Sequence, residues 1–378
     1  MTQALLNARV LLDDGFADDR AVLVEGGRIA AVVSADDPRV GEARRVDLEG
    51  RFLLPGFIDC QVNGGGGVLF NDAPTVETIA TIGAAHRRYG TTAFLPTLIS
   101  DDFEVMRKAI AAVDAAIEQN VPGVIGIHLE GPFLAPERHG AHDAGKFVIP
   151  DAAAIELAGS LRHGRTLLTL APDRVSPEAI RALVARGVVV SAGHSAATYE
   201  QTRAALDAGV SGFTHLYNAM TPLTGRAPGV VGAALEDANS WCGIIVDNFH
   251  AHPASFRVAL AAKPRGKVFL VTDAMPPVGA ASPEFSLYGQ AITVDNGRCV
   301  NAAGSLAGSA LDMAGAVRNT VQSLGLPLDE AARMAATYPA QFLGLSDRGR
   351  IAAGQRADFV VLDPDLTLTQ VFIGGVAA

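Results

Sequence analysis

The middle of the chain alternates between short apolar runs and longer segments whose apolar residues recur at helical spacing. That alternation is typical of a parallel sheet whose strands are connected by helices. Eight apolar runs qualify as strands, and they cover residues 56–62, 92–96, 124–128, 166–170, 188–191, 212–214, 243–246 and 268–271. Eight β/α repeats predict the α/β class and a closed (β/α)8 TIM-like barrel.

Helix signals lie between several of these runs. Helices are predicted over residues 75–89 and 100–119. A third helix has Ser176 as its N-cap, Pro177 in its first turn and Gly187 as its stop signal. These signals support the barrel, because each connection between parallel strands needs room for a helix.

An open, doubly wound sheet is the alternative. In that fold a glycine-rich phosphate-binding loop follows the first strand directly. The glycine run at residues 64–67 lacks the G-x-G-x-x-G spacing and is not followed by a suitable helix. The barrel is therefore the favoured fold.

Both ends of the chain contain β-type runs. These are residues 21–24 and 29–33 around a Gly-Gly turn, then 46–49, 358–363 and 371–373. Strands from the two ends can share one sheet if the termini meet. We predict a small split β-sandwich domain from residues 1–53 and 347–378, and a catalytic barrel domain over residues 54–346.

Composition narrows the class of protein. The chain has 378 residues, of which 49% are hydrophobic and 19% charged, as expected of a globular enzyme. The net charge of −10 and the lack of a basic run argue against nucleic acid, and no apolar run is long enough to span a membrane. Asp13 and Asp14 interrupt the region where a signal peptide needs an apolar core. Three widely spaced cysteines favour a reducing, cytoplasmic location.

Polar residues follow the predicted strands, at the end of the barrel where active sites lie. In strand order they are Asp59, Gln61, Asn63, Thr97, Glu130, Asp173, His194, His215, Asp247 and Asp273. An ionisable group at the end of an apolar strand is costly to bury unless it has a partner. The set therefore marks a candidate active site.

Glu130, His194 and His215 follow three strands of this series and suit one divalent metal. A single histidine after an apolar strand is more often structural, but three such residues in register favour a catalytic metal site. Asp273 directly follows the eighth strand. It fits a helix N-cap or salt-bridge partner, but a position at the barrel mouth favours a general base.

Arg226 and His250 are candidate anion contacts. Arg226 lies in a Gly/Pro-rich loop after the sixth strand and His250 follows the seventh, at the active-site face. An exposed arginine is more often only a surface charge. His252, His86 and His163 are interpreted as ordinary surface, helix or loop residues.

Several short motifs connect the chain to a known family. They are Leu54-Pro55-Gly56-Phe57-Ile58-Asp59, His128-Leu129-Glu130-Gly131-Pro132-Phe133, Gly140-Ala141-His142, Gly193-His194-Ser195, Thr214-His215-Leu216-Tyr217-Asn218-Ala219-Met220, Val271-Thr272-Asp273-Ala274-Met275 and Leu306-Ala307-Gly308-Ser309. With them the chain resembles, nearly end to end, the N-acetylglucosamine-6-phosphate deacetylases of the amidohydrolase superfamily. The Thr214–Met220 string is the most specific of the motifs.

The resemblance implies hydrolysis of N-acetylglucosamine 6-phosphate to glucosamine 6-phosphate and acetate, in amino-sugar catabolism or cell-wall recycling. It implies Glu130, His194 and His215 as metal ligands, Asp273 as the acid/base, and His142 as the group that orients or polarises the acetamide carbonyl. It implies a sugar site lined by Ala141, Asn218, Ala219, Leu306, Ala307 and Gly308. It also implies that Arg226 and His250 contact the 6-phosphate across the interface of a homodimer.

The chain departs from the superfamily pattern at three places. Many amidohydrolases carry His-x-His after the first strand and bind two metals, whereas this chain has Gln61 and Asn63. One divalent metal is therefore expected, zinc first and iron(II) or another transition metal as alternatives, with Gln61 and Asn63 as possible first-strand contacts. Asn248 stands where a glycine commonly precedes His250, and the anion loop has Ala227 where glutamate is common.

Two alternatives stay open at the level of sequence. One is an amidohydrolase that deacetylates a related amino sugar, such as N-acetylgalactosamine 6-phosphate. The other is a catalytically inactive binding protein on the same fold, although all three predicted ligands and Asp273 are present.

Overall fold

The computed structural model describes residues 2–302 and 304–378. The strands of the chain ends are β1 Gln3–Leu12, β2 Gly15–Glu25, β3 Arg28–Ser34, β4 Arg44–Asp47, β5 Phe52–Pro55, β20 Phe359–Leu362, β21 Leu368–Ile373 and β22 Val376–Ala377. The strands between them are β6 Phe57–Val62, β7 Gly64–Gly65, β8 Val68–Leu69, β9 Thr91–Ile99, β10 Gly126–Glu130, β11 Arg165–Leu170, β12 Val189–Ala192, β13 Gly212–Phe213, β14 Trp241–Ile244, β15 Val268–Leu270, β16 Glu284–Leu287, β17 Gln290–Asp295, β18 Arg298–Asn301 and β19 Leu306–Ser309.

The helices are α1 Pro38–Glu42, α2 Val76–Arg87, α3 Phe103–Glu118, α4 Ala152–Ala158, α5 Pro177–Ala185, α6 Tyr199–Ala208, α7 Gly229–Glu236, α8 Pro253–Ala262, α9 Met313–Leu324, α10 Leu328–Ala335 and α11 Thr337–Phe342. Two short 3-10 turns cover Pro136–Arg138 and Ala144–Lys146. Within the described residues, every helix is too short or too polar to cross a lipid bilayer.

Eight parallel strands form the barrel, in the spatial order β6, β9, β10, β11, β12, β13, β14, β15. Backbone hydrogen bonds close the circle between its last and first strands. The Asp273 N–H donates to the Gln61 carbonyl (3.0 Å), and the Asn63 N–H donates to the Ala274 carbonyl (2.9 Å). Each of the eight predicted runs overlaps one of these strands, so the barrel prediction is confirmed and the open sheet is excluded.

Helix α5 begins at its predicted cap, whereas α3 begins later than predicted. Ser176 caps α5 by accepting a hydrogen bond from the Ala179 N–H, as expected of a serine at this position. Helix α3 begins at Phe103, later than predicted, because Asp102 has extended backbone angles (φ −65°, ψ 150°) and occupies the N-cap. The aspartates before α3 thus belong to a loop at the barrel mouth.

Strands from both chain ends share one hydrogen-bonded sheet, in the order β22, β21, β20, β5, β1, β2, β3. Strand β1 also pairs with β4, so the sheet branches there. The main hydrophobic core of this sheet contains side chains from both chain ends, such as Leu5, Phe359 and Phe372. Strand β5 crosses the predicted boundary between residues 53 and 54, because it pairs with β20 before the chain enters β6. The exact domain boundaries stay a prediction.

A four-stranded antiparallel sheet, β16–β19, follows the last barrel strand and was not predicted. Its signals were present, because residues 284–301 alternate and Asn296-Gly297 is a strong hairpin turn. The sheet lies at the barrel mouth, where the Tyr288 hydroxyl donates to the Ser100 carbonyl (2.6 Å). Leu306–Gly308, expected to line the sugar site, belongs to strand β19.

Candidate active site

Three predicted ligands converge at the barrel mouth. The Glu130 Oε1 atom lies 3.2 Å from the Nε2 of His194 and 2.9 Å from the Nε2 of His215, and the two ring nitrogens are 3.0 Å apart. All three side chains are buried. One carboxylate and two imidazoles at this spacing form a donor set that could hold one divalent metal.

The ionisation of Glu130 and the tautomer of His194 suit a cation. Burial by itself would raise the pKa of Glu130, but the adjacent His194 and His215 rings hold it well below its usual range. The Nδ1 of His194 donates to the Arg138 carbonyl (2.8 Å), which leaves its Nε2 lone pair available to a metal. The corresponding atom of His215 has no partner among the described residues, so only His194 is oriented in this way.

The backbone at this site is left-handed at non-glycine residues. The φ angles are 47° at His194, 34° at His215 and 54° at Asp273. Few non-glycine residues adopt such angles. Neighbouring N–H groups bond the carbonyls of these residues, from Ala135 to His194 (2.9 Å) and from Ser309 to Asp273 (2.9 Å). The surrounding fold, rather than local preference, therefore aims these side chains.

Asp273 is held by amide groups from the first strand. Its Oδ1 accepts from the Asn63 Nδ2 (2.6 Å) and the Gln61 Nε2 (3.1 Å). The same Gln61 amide lies 3.2 Å from both carboxylate oxygens of Glu130. Burial, together with repulsion from Glu130, raises the pKa of Asp273 to about 7. Gln61 thus bridges the two carboxylates, and Asn63 holds Asp273 alone.

His142 has a defined tautomer. The Ser100 backbone N–H donates to its Nδ1 (3.3 Å), so in the neutral ring the proton is on Nε2. Burial and the nearby His194 lower the pKa of His142 to about 3, which keeps the ring neutral. Its Nε2 is 3.9 Å from the Oε2 of Glu130. A neutral N–H donor therefore lies beside the candidate metal ligands.

His250 pairs with Asp247. The His250 Nδ1 donates to the Asp247 Oδ2 (2.7 Å). Burial alone would lower the pKa of His250, but the hydrogen bond and charge of Asp247 raise it overall. Asn248 between them adopts φ 68°. Asparagine tolerates this conformation better than most residues, so Asn248 fits the turn before His250.

One cavity of about 170 Å³ joins most of the predicted residues. Its lining includes Asn63, Glu130, Ala141, His142, His194, His215, Asn218, Ala219, His250, Asp273, Leu306 and Gly308. Gln61 lies behind it through its bonds to the carboxylates, and Ala307 lines an adjoining cavity. Arg226 is exposed and lies outside the lining.

The remaining polar candidates have other roles. Asp59 accepts from the Thr272 hydroxyl (2.5 Å) inside the barrel, and Asp173 accepts from the Ser195 hydroxyl (2.5 Å). His86 is buried against the Gly64 carbonyl (2.9 Å), and His163 is exposed beside Glu118. His252 caps α8 through its ring nitrogen.

Four lining residues were missed by the sequence analysis, namely Ile99, Gly140, Met275 and Leu287. Three of them are apolar, and in the sequence they resemble ordinary core residues. Ile99 lies three residues beyond the predicted strand run 92–96, and Met275 is the last residue of a site motif, so proximity to strand ends was the available signal. Leu287 belongs to the unpredicted sheet and had no such signal.

Comparison with known proteins gives consistent matches. Residues 52–378 match the Amidohydrolase family. N-acetylgalactosamine-6-phosphate deacetylase from Shewanella sp. (strain ANA-3) is 44% identical, over 97% of this chain and 94% of that protein. N-acetylglucosamine-6-phosphate deacetylase from Homo sapiens is 39% identical, over 93% of this chain and 90% of that protein.

A solved structure agrees over the full length. The crystal structure of N-acetylglucosamine-6-phosphate deacetylase from Pasteurella multocida is 34% identical, covers 100% of both chains and superposes with a TM-score of 0.96. Together with the family match and the converging site residues, this likeness supports the resemblance drawn from the motifs. The chain therefore belongs to the amidohydrolase family.

Proposed function

We propose that this protein hydrolyses the N-acetyl group of N-acetylglucosamine 6-phosphate, giving glucosamine 6-phosphate and acetate. The observation that carries the proposal is the single cavity that joins the Glu130, His194 and His215 cluster with Asp273 and His142. Full-length relatives that bear deacetylase names support the same reaction. A catalytically inactive binding protein is disfavoured, because the whole set of candidate groups is present.

Glu130, His194 and His215 would hold one divalent cation, with zinc as the first choice and iron(II) as the alternative. Such an ion supplies a Lewis acid that polarises a carbonyl and lowers the pKa of a water molecule. Gln61 and Asn63 engage the neighbouring carboxylates and are poor ligands for a transition metal. This donor set supports one metal ion per subunit.

Asp273 is the proposed acid/base. With Oδ1 held by Gln61 and Asn63, the carboxylate keeps a fixed orientation, and Oδ2 is available for the proton. It would take a proton from the attacking water and return it to the departing amine nitrogen. The neutral His142 ring would donate a hydrogen bond from its Nε2–H to the acetamide oxygen as negative charge develops there.

The 6-phosphate would be held by His250 and Arg226. The raised pKa of His250 favours a charged ring whose Nε2 donates to a phosphate oxygen. Arg226 lies outside the cavity of its own chain, so we propose that it reaches the site of the partner subunit in a homodimer. The three buried, free cysteines fit the cytoplasm as the place of action.

N-acetylgalactosamine 6-phosphate is a second candidate substrate. It is favoured by the 44% identity with a relative named for that sugar. The two sugars differ only in the orientation of the 4-hydroxyl, so the same acetamide and phosphate contacts would serve both.

The test is a comparison of kcat/KM in metal-replete protein for N-acetylglucosamine 6-phosphate, N-acetylgalactosamine 6-phosphate and unphosphorylated N-acetylglucosamine. We expect both phosphorylated sugars, or one of them, to exceed the unphosphorylated sugar by at least about 100-fold, as a charged contact to phosphate implies. A chelator should abolish the activity, and added metal should restore it. Equal rates with and without phosphate would contradict the phosphate site, and no activity on any of the three would contradict the deacetylase.

A further inference from the structure

One side of the cavity is apolar. Ile99, Met275 and Leu287 line it, and their exposed fractions are 4%, 2% and 4%. They come from the end of β9, the segment after β15 and the end of β16. We infer that these three residues, here called the acyl wall, hold the methyl of the substrate's acyl group and restrict hydrolysis to N-acetyl. This inference rests on the proposed deacetylation.

The direction of the acyl group follows from amide geometry. An amide carbon carries its oxygen, its nitrogen and its acyl carbon in one plane, about 120° apart. His142 would bind the oxygen beside the metal ligands. The nitrogen leads to the sugar, which would lie toward Asn218, Ala219 and His250, three residues that line the cavity. The acyl carbon is left to point to a third side.

Barrel order places Ile99, one member of the acyl wall, on that third side. Asn218 and Ala219 follow β13, the sixth strand of the barrel, and Ile99 ends β9, the second. Strands four places apart in an eight-stranded barrel face each other across its axis. Ile99 therefore lies opposite Asn218 and Ala219.

The acyl wall is held in place by its surroundings. Asn71 bonds both backbone groups of Ile99, with its Nδ2 3.0 Å from the carbonyl and its Oδ1 3.1 Å from the N–H. A Cβ atom on Gly308 would lie 2.5 Å from the Cγ of Met275, so the two residues are in close contact. Behind the wall, Leu69 and Cys299 belong to the same buried apolar cluster.

The side chains of a close-packed cluster move little to make room for an extra methylene. One methylene too many or too few in an apolar pocket changes specificity by roughly 10- to 200-fold. We therefore expect the wild-type protein to prefer the N-acetyl substrate to its N-propionyl and N-butyryl analogues by at least about tenfold per added methylene.

The experiment measures kcat/KM for N-acetyl-, N-propionyl- and N-butyryl-glucosamine 6-phosphate, with metal-replete protein. It compares wild type with Ile99→Val and Ile99→Ala, which remove one and three carbon atoms from the wall. Leu69→Ala is the matched control, because Leu69 is 3% exposed in the same cluster but does not line the cavity. Leu287→Ala provides a second wall variant in case Ile99→Ala fails to fold.

We expect the butyryl-to-acetyl ratio of kcat/KM to rise by about tenfold or more in Ile99→Ala, and the propionyl-to-acetyl ratio to rise in Ile99→Val. Leu69→Ala should keep the wild-type ratios. An active wild type with unchanged ratios in both Ile99→Ala and Leu287→Ala would overturn the acyl wall alone. An equal rise of the butyryl-to-acetyl ratio in Leu69→Ala would also overturn the acyl wall, because a general loosening of the buried cluster would then explain the result. A wild type inactive on all three acyl forms would instead overturn the proposed function, and the wall with it.

Discussion

At the scale of single residues, the site depends on how carboxylates and imidazoles share hydrogen bonds. Gln61 has the central position, since its amide reaches both Glu130 and Asp273. Two buried carboxylates side by side repel each other, and an amide donor between them offsets part of that repulsion without adding a ligand for a second metal. Gln61 thus helps to keep the two carboxylates in place.

Asp273→Asn should remove most turnover and leave metal binding intact, because the amide cannot accept the proton while Glu130, His194 and His215 are unchanged. The expected fall in kcat is roughly 10²- to 10⁴-fold, the range for general acid–base catalysis. Steady-state kinetics and metal content by elemental analysis measure the two effects.

Asp114→Asn is the control for this change, because Asp114 is a buried carboxylate that bonds Arg162 and the His163 backbone on the outside of the barrel. It should alter stability and leave kcat near the wild-type value. Near-normal kcat in Asp273→Asn would exclude Asp273 as the acid/base.

At the scale of elements, buried contacts attach helices to the loops of the barrel mouth. His86 on α2 donates from Nε2 to the Gly64 carbonyl (2.9 Å). A Cβ on Gly65 would lie 2.8 Å from the His86 ring, so only glycine permits this close packing. Burial lowers the pKa of His86 to about 4. The helix is thus fixed beneath β7 by a histidine that must stay neutral.

The stability of the protein should fall as pH drops from about 6.5 to about 4, in part because of His86. In this window the unfolded chain binds a proton at His86 and the folded chain does not, so acid favours unfolding. The contribution is at most about 3 kcal/mol in the free energy of unfolding. Urea unfolding of wild type and His86→Gln across this range measures it.

His86→Gln should be less stable than wild type at pH 7 but should lose less of its stability on acidification. His163→Gln is the control, because His163 is exposed, and it should follow the wild-type pH dependence. Parallel curves of unfolding free energy against pH for wild type and His86→Gln would show that His86 contributes nothing to the loss of stability in acid.

At the scale of the whole molecule, one chain does not bring every predicted residue together. The cavity contains His250 but not Arg226, whose loop is exposed from residue 222 to residue 227. An arginine that serves its own cavity would have to lie within reach of it. The separation supports the proposal that Arg226 completes the site of a partner subunit.

Subunit mixing tests this proposal. Arg226→Ala should raise KM by roughly 10- to 100-fold, and Asp273→Asn should be nearly inactive. If Arg226 acts across the interface, a mixed dimer contains one site with an intact Asp273 and an Arg226 from its partner. After subunit exchange, activity at low substrate concentration should exceed the sum of the separate proteins.

The control mixes Arg226→Ala with the double variant Arg226→Ala/Asp273→Asn, which supplies no arginine and should give no gain. Exchange is confirmed independently by native mass spectrometry. If exchange is confirmed and the first mixture shows no gain in activity, Arg226 acts within its own subunit's site or outside any site.

The sequence by itself determined the barrel, the strand ends and the chemistry of the candidate ligands. Strand and helix periodicity are local properties, and a carboxylate or imidazole after an apolar strand is visible without coordinates. Glu130, His194, His215 and Asp273 could therefore be placed at one mouth once eight repeats were counted.

Only the tertiary structure decided which groups share contacts. The bridge from Gln61 to Glu130 and Asp273, the tautomer of His142 set by Ser100, and the wall of Ile99, Met275 and Leu287 join residues far apart in sequence. Apolar side chains at a site resemble core residues in any local pattern, because both are buried. What separates them is the cavity they face, and that exists only after the barrel has closed and β16–β19 has packed over its mouth.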